Sequence, residues 1–117
     1  MNYTINTKDD ILILKLQGDL IGEDIESTLI NEVSAYIGRD ILLCAIDISD
    51  VRFINSSGIG ALITLLTKFR NKGGEVILIK PSAQVKKLLI ITKLNSIFTV
   101  VESEQEAIEQ LKNNVVK

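Results

Sequence analysis

One stretch limits the fold of this chain more than any other: Leu42-Leu43-Cys44-Ala45-Ile46-Asp47-Ile48, six apolar residues in seven. A strand with one wet face alternates between apolar and polar. A run without alternation suits a strand covered on both faces, which is the environment inside a parallel sheet. The segments on either side carry a different period. Ile25, Leu29, Val33 and Tyr36 or Ile37 recur at helical spacing before it, with Glu23, Asp24 and Glu26 in the first turn, where the helix dipole favours negative charge. Leu62, Leu65, Leu66 and Phe69 form a second helical stripe after it.

The remaining elements follow the same logic. Tyr3-Thr4-Ile5 and Ile11 to Leu16 read as a β-hairpin turning at Asp9-Asp10. Gly73-Gly74 ends the second helix, and Glu75 to Ile79 is another short apolar strand. Val85, Leu88, Leu89 and Thr92 mark a third helix after Pro81, Phe98 to Val101 a last strand, and Ala107, Ile108 and Leu111 a last helix. The order is β-β-α-β-α-β-α-β-α. Strands alternating with helices imply right-handed crossovers. The expected fold is α/β, one domain over residues 1–117. Its sheet has four to five mostly parallel strands with an N-terminal edge strand. About four helices lie mainly on one side, and the loop Ser49 to Asn55 leaves the central strand.

Composition narrows the function. The chain of 117 residues has no histidine and one cysteine. That removes Ser-His-Asp and Cys-His nucleophiles, a His general base, and His- or Cys-rich metal sites. Cys44 reads as a small buried hydrophobe. No metal and no cofactor are expected, and an enzyme is not. The net charge of −2 argues against a nucleic-acid binder. No apolar run reaches the length of a membrane span and the first ten residues are polar, so a cytoplasmic location is expected. Charge is unevenly spread. Residues 1–52 hold 4 basic and 10 acidic side chains, and residues 53–101 hold 7 basic and 1 acidic. The basic section is either solvated helix surface or a docking face for an acidic partner or a phosphate.

The segment that carries chemistry is Val51-Arg52-Phe53-Ile54-Asn55-Ser56-Ser57-Gly58-Ile59-Gly60-Ala61-Leu62. It leads from the buried strand into the second helix, where open α/β sheets place their sites. Unsatisfied N–H groups and the positive end of the dipole meet two hydroxyls there. Asn55 or Ser56 can serve simply as the N-cap. Alternatively, a phosphate on Ser56 or Ser57 would lie near those donors. Gly58 and Gly60 leave room for a backbone or a partner to approach. Two nucleotide motifs fail: Ile63 stands where the dinucleotide fingerprint needs a small residue, and no Gly-Lys-Ser/Thr triplet exists.

Phe53-Ile54-Asn55-Ser56-Ser57-Gly58-Ile59-Gly60, preceded by Asp47-Ile48-Ser49, resembles the signature of the STAS domain family, and within it the anti-sigma-factor antagonists of bacteria. Leu16-Gln17-Gly18-Asp19-Leu20, Gly73-Gly74-Glu75-Val76, Pro81, Val85, Leu88-Leu89, Leu94, Ile97 and Phe98 are similar to further family positions across nearly the whole chain. The resemblance implies a non-catalytic partner-switching protein. It would bind an anti-sigma factor that is also a serine kinase, release the sigma factor, and be switched off by serine phosphorylation and reset by a phosphatase. The family's modified serine precedes the first glycine, which makes it Ser57, with Ser56 as runner-up. An alternative within the family is an adaptor subunit, as beside an ABC lipid transporter or in a sensor complex. The expected partner surface comprises Asp19, Leu20, Ile21 and Asp24, then Phe53, Asn55, Ser56, Ser57 and Gly58, and then Ile59, Gly60 and Ile63. Lys86 and Lys87 are expected to add long-range steering toward an acidic partner from the third helix. The chain departs from the family pattern at Ile21 and Asn55, where Asp is usual. A monomer or weak dimer is expected.

Overall fold

In the computed structural model, residues 2–20 and 23–116 are described. Strand β1 (Asn2–Lys8) and β2 (Ile11–Leu20) form an antiparallel hairpin, followed by α1 (Glu23–Ile37), β3 (Leu43–Ile54) and α2 (Ser56–Asn71). Then come β4 (Glu75–Ile79), α3 (Ala83–Ile91), a 3-10 turn (Leu94–Ser96), β5 (Thr99–Val101) and α4 (Glu104–Val116). The sheet order is β1-β2-β3-β4-β5, parallel from β2 onward, with the N-terminal strand at one edge. The two-residue turn has positive φ at both Asp9 (54°) and Asp10 (64°), as the tight hairpin turn that matches strand twist requires. Lys112 Nζ on α4 reaches Asp9 Oδ2 at 3.0 Å, and that bond holds the Asp9 carboxyl below its ordinary range.

Both faces of the sheet are covered, which explains the unbroken apolar run. Cys44, Ile46 and Ile48 face the core built with α1, α2 and α3, through Leu29, Val33, Leu62, Leu65, Phe69 and Val85. Ala45 faces the opposite side with Ile11, Ile13, Ile77 and Ile79, where Ala107, Ile108 and Leu111 of α4 lie. Three helices therefore share one side, as the element pattern suggests, and α4 alone covers the other.

The central strand is longer than expected. The segment Ser49 to Ile54, read from sequence as a loop, continues β3 beside β2 as far as the Leu20–Ile54 pair. Two register shifts explain the misreading. One lies between the Lys15–Asp47 and Gln17–Asp50 pairs, the other between the Gly18–Val51 and Asp19–Phe53 pairs. Each bulge adds one residue to β3, so its core-facing residues fall at 46, 48, 51 and 54 instead of at every second position. Gly18, with φ of 90°, takes a conformation that favours glycine opposite the second shift. β4 pairs with β3 only as far as Asp47–Ile79. More than half of β3, residues 48–54, thus extends past β4 and delivers its end to the start of α2.

Candidate functional site

The end of β2 lies beside Asn55, the residue that links β3 to α2. The Asn55 N–H donates to Leu20 O at 3.4 Å. Asn55 is extended (φ −100°, ψ −175°) and caps α2: its Oδ1 accepts from the Gly58 N–H at 3.0 Å, and its carbonyl accepts from the Ile59 N–H at 3.0 Å. Of the two caps open to the sequence, the helix uses Asn55. Ser56 and Ser57 are therefore the first two residues of α2. Neither hydroxyl is engaged in a hydrogen bond among the described residues, and neither are their backbone N–H groups. Ser56 is exposed and Ser57 half-buried. No acidic residue lies in this first turn. Among the described residues the arrangement offers two unbonded hydroxyls and two unbonded helix-start N–H donors, a favourable place for negative charge.

The two glycines behave differently. A Cβ on Gly58 would sit 2.2 Å from Leu20 O and 2.9 Å from both Ile54 Cγ2 and Leu20 Cγ, so Gly58 lets the first turn of α2 lie directly on the end of β2. The backbone that Gly58 admits is the chain's own. A Cβ on Gly60 would meet nothing within 4 Å, and the position is half-exposed.

The other expected partner residues are scattered in depth. Leu20 is buried and forms the floor of the site. Asp19 pairs with Arg52 at 3.3 Å across the two strands. Ile59 and Ile63 pack partly against the core. Ile21 and the side chain of Asp24 lie outside the described residues. Lys86 and Lys87 are exposed on α3, whose N-cap Ser82 accepts from the Val85 N–H at 3.3 Å. The Ser82 hydroxyl also donates to Val51 O at 3.2 Å, a bond to the flank of β3 that β4 leaves uncovered.

Sequence reasoning missed one feature. Phe53 is 50% exposed, and beside it the end of β3 and α3 enclose an open groove of about 220 Å3. A signal for it was present: α3 has Val85, Leu88, Leu89, Ile90 and Ile91 in nine residues, more apolar groups than one face can bury. Only Val85 and Leu89 are buried. A larger cleft of about 520 Å3 lies at the opposite end of α2, lined by Lys68, Asn71 and Lys72 together with Ser34, Ile37 and Asp40. No helix among the described residues is long and apolar enough to cross a membrane. No group of three or more His, Cys, Asp or Glu side chains gathers among the described residues.

The STAS domain family matches residues 2–107, and the chain belongs to that family. A Thermotoga maritima protein provisionally named an anti-sigma factor antagonist is 29% identical over 65 residues, 56% of this chain and 58% of that one. The chain thus aligns with little more than half the length of that relative. Bordetella bronchiseptica BtrV, provisionally given the same name, is 26% identical over 112 residues, 96% of each chain. Among solved structures, the anti-sigma factor antagonist SpoIIAA in its unphosphorylated form superposes with a TM-score of 0.83 at 19% identity, covering 96% of this chain and 97% of that one.

Proposed function

We propose that this protein is an anti-sigma-factor antagonist whose partner affinity is switched by phosphorylation of Ser57. In this reading the start of α2 docks on an anti-sigma factor that is also a serine kinase, and a phosphatase reverses the modification. Membership of the STAS family and the names carried by its relatives support the class. The observation that carries the reading is that Asn55 caps α2, and that the Ser57 hydroxyl has no hydrogen-bond partner among the described residues. A phosphate there adds about −1.5 to −2 charges beside helix-start N–H groups. It is therefore tolerated by the fold while changing the surface that a partner meets.

Ser57 is preferred to Ser56 because it immediately precedes Gly58, and the family resemblance places the modified serine directly before the first glycine. The test is labelling by Mg-ATP in a lysate of the source cells, with the site mapped by mass spectrometry. Ser57→Ala is expected to abolish most of the label and Ser56→Ala to leave most of it. Equal labelling of Ser57→Ala and the parent protein would move the role to Ser56 or remove it. A partner retained with no phosphate on either serine would instead assign the chain to the adaptor class.

A further inference from the structure

We propose that the groove between the end of β3 and α3 seats a bulky apolar side chain carried on an acidic segment of a partner protein. This builds on the preceding reading, since it gives the partner that meets Ser57 a second point of attachment. The groove exists because β4 stops pairing at Ile79 while β3 runs on to Ile54. Beside this overhang lies α3 instead of a strand, tied by the Ser82 hydroxyl to Val51 O. A helix does not fill a strand's place closely. Phe53, Ile54, Val85, Leu88 and Ile91 are left lining an open trough. Phe53 is 50% and Ile91 68% exposed over a floor of buried Ile54 and Val85, so the trough presents an exposed apolar rim.

Its size and charge select the occupant. At about 220 Å3 it is smaller than the roughly 300–1,000 Å3 of a small-molecule site, and matches one or two side chains better than a cofactor. Arg52 and Lys87 line it, no acidic residue does among the described residues, and Lys86 is next in the chain. Arg52 is held toward Asp19, whereas neither Lys86 nor Lys87 belongs to an ion pair among the described residues. An apolar floor with a cationic rim complements an apolar anchor flanked by carboxylates. The groove is continuous with the switch site, because Phe53 and Ile54 lead directly into Asn55, Ser56 and Ser57.

The test titrates the 15N-labelled full chain with acetyl-Glu-Glu-Leu-Phe-Glu-Glu-amide and with its lysine counterpart, acetyl-Lys-Lys-Leu-Phe-Lys-Lys-amide. The acidic peptide is expected to shift the amides of Phe53, Val85, Leu88 and Ile91 saturably, and the lysine peptide to bind at least tenfold more weakly. The double variant Phe53→Ser/Ile91→Ser changes two exposed positions. It is expected to weaken the acidic peptide at least tenfold while the rest of the spectrum stays in place, and Lys87→Glu to weaken it about threefold. Equal binding of the two peptides, shifts confined to other surfaces, or undiminished binding by the double variant would overturn the proposal. So would groove shifts produced only by phosphatidylglycerol vesicles, which would assign the groove to a membrane. Groove shifts produced only by raising the protein's own concentration would overturn it in favour of a second copy. The outcome is independent of phosphorylation: a labelled Ser57 with no peptide binding removes the groove alone, and peptide binding with no label removes the switch alone.

Discussion

Gly58 and Gly60 stand two residues apart in the same helical turn, and alanine is expected to act on them with opposite sign. At Gly58 the new Cβ would lie 2.2 Å from Leu20 O, against an ordinary carbon–oxygen contact of about 3.3 Å or more. The first turn of α2 must then lift by about 1 Å from the end of β2. That movement strains the Asn55 N–H bond to the same oxygen and opens the packing between Gly58 and the Leu20 and Ile54 side chains. Overpacking a tight site costs about 1–3 kcal/mol, and a clash with backbone belongs at the upper end. Alanine's helix propensity returns up to about 1 kcal/mol. The net loss is about 2 kcal/mol. At Gly60 nothing lies within 4 Å, so only the propensity gain of about 0.5–1 kcal/mol remains. Urea unfolding followed by circular dichroism measures both. With a slope of about 2 kcal/mol/M, the Gly58→Ala midpoint falls by about 1 M and the Gly60→Ala midpoint rises by a few tenths. A Gly58→Ala protein as stable as the parent would refute the close approach of α2 to β2 on which the site's geometry rests.

Other outcomes follow from the same contacts. Asn55→Ala removes the cap accepting from the Gly58 N–H and is expected to cost about 1 kcal/mol in urea unfolding. Asn55→Asp keeps a capping oxygen and adds a carboxylate; stability stays within about 0.5 kcal/mol, and the proposed phosphorylation of Ser57 is expected to speed up if that carboxylate orients the serine. An unchanged rate would refute the orienting role. Burial pushes the Cys44 thiol well above its ordinary pKa. The unfolded chain therefore releases this proton first as pH rises, at about 8.5. The native state holds the proton above that point, so stability is lost with increasing pH, at up to about 1.4 kcal/mol per unit from this group. Cys44→Val is expected to flatten the decline between pH 8.5 and 10.5, and an unaltered slope would contradict the burial. The hydrogen bond from Tyr3 Oη to Glu32 Oε1 at 2.7 Å, with burial second, raises the Tyr3 phenol. Its contribution is likewise present below about pH 10 and lost above it. Tyr3→Phe removes that alkaline component, measured against the parent by thermal melts at pH 9 and 11.

The parts of this molecule that could be read from sequence are those whose period is undisturbed. The run 42–48 is apolar because α1–α3 cover one face and α4 the other, and it reads as the central strand it is. The stripe Leu62, Leu65, Leu66, Phe69 lies on the buried face of α2 as its spacing requires. The stretch 49–54 was illegible for the opposite reason. Two bulges change the inward spacing from two to three residues, and a template of strict alternation rejects such a strand. Missing that strand also hid the groove, since only the overhang of β3 past β4 leaves Phe53 beside α3. At the site itself, residue types gave the helix start, but two capping residues were equally acceptable. The choice of Asn55 depends on the backbone turn that Gly58 permits against Leu20, a tertiary contact with no local signature.

The proposed role of Ser57 is to switch a docking surface. Its direct test is partner capture on the immobilised chain from a lysate of the source cells, without and with Mg-ATP, in parallel with Ser57→Ala. The predicted result is an ATP-binding serine kinase with anti-sigma activity, held by the parent protein and released when a phosphate appears on Ser57. The Ser57→Ala protein is predicted to keep the same kinase bound after ATP is added. Release of that kinase from Ser57→Ala, or a partner that stays on the parent protein once Ser57 is fully phosphorylated, would contradict the account.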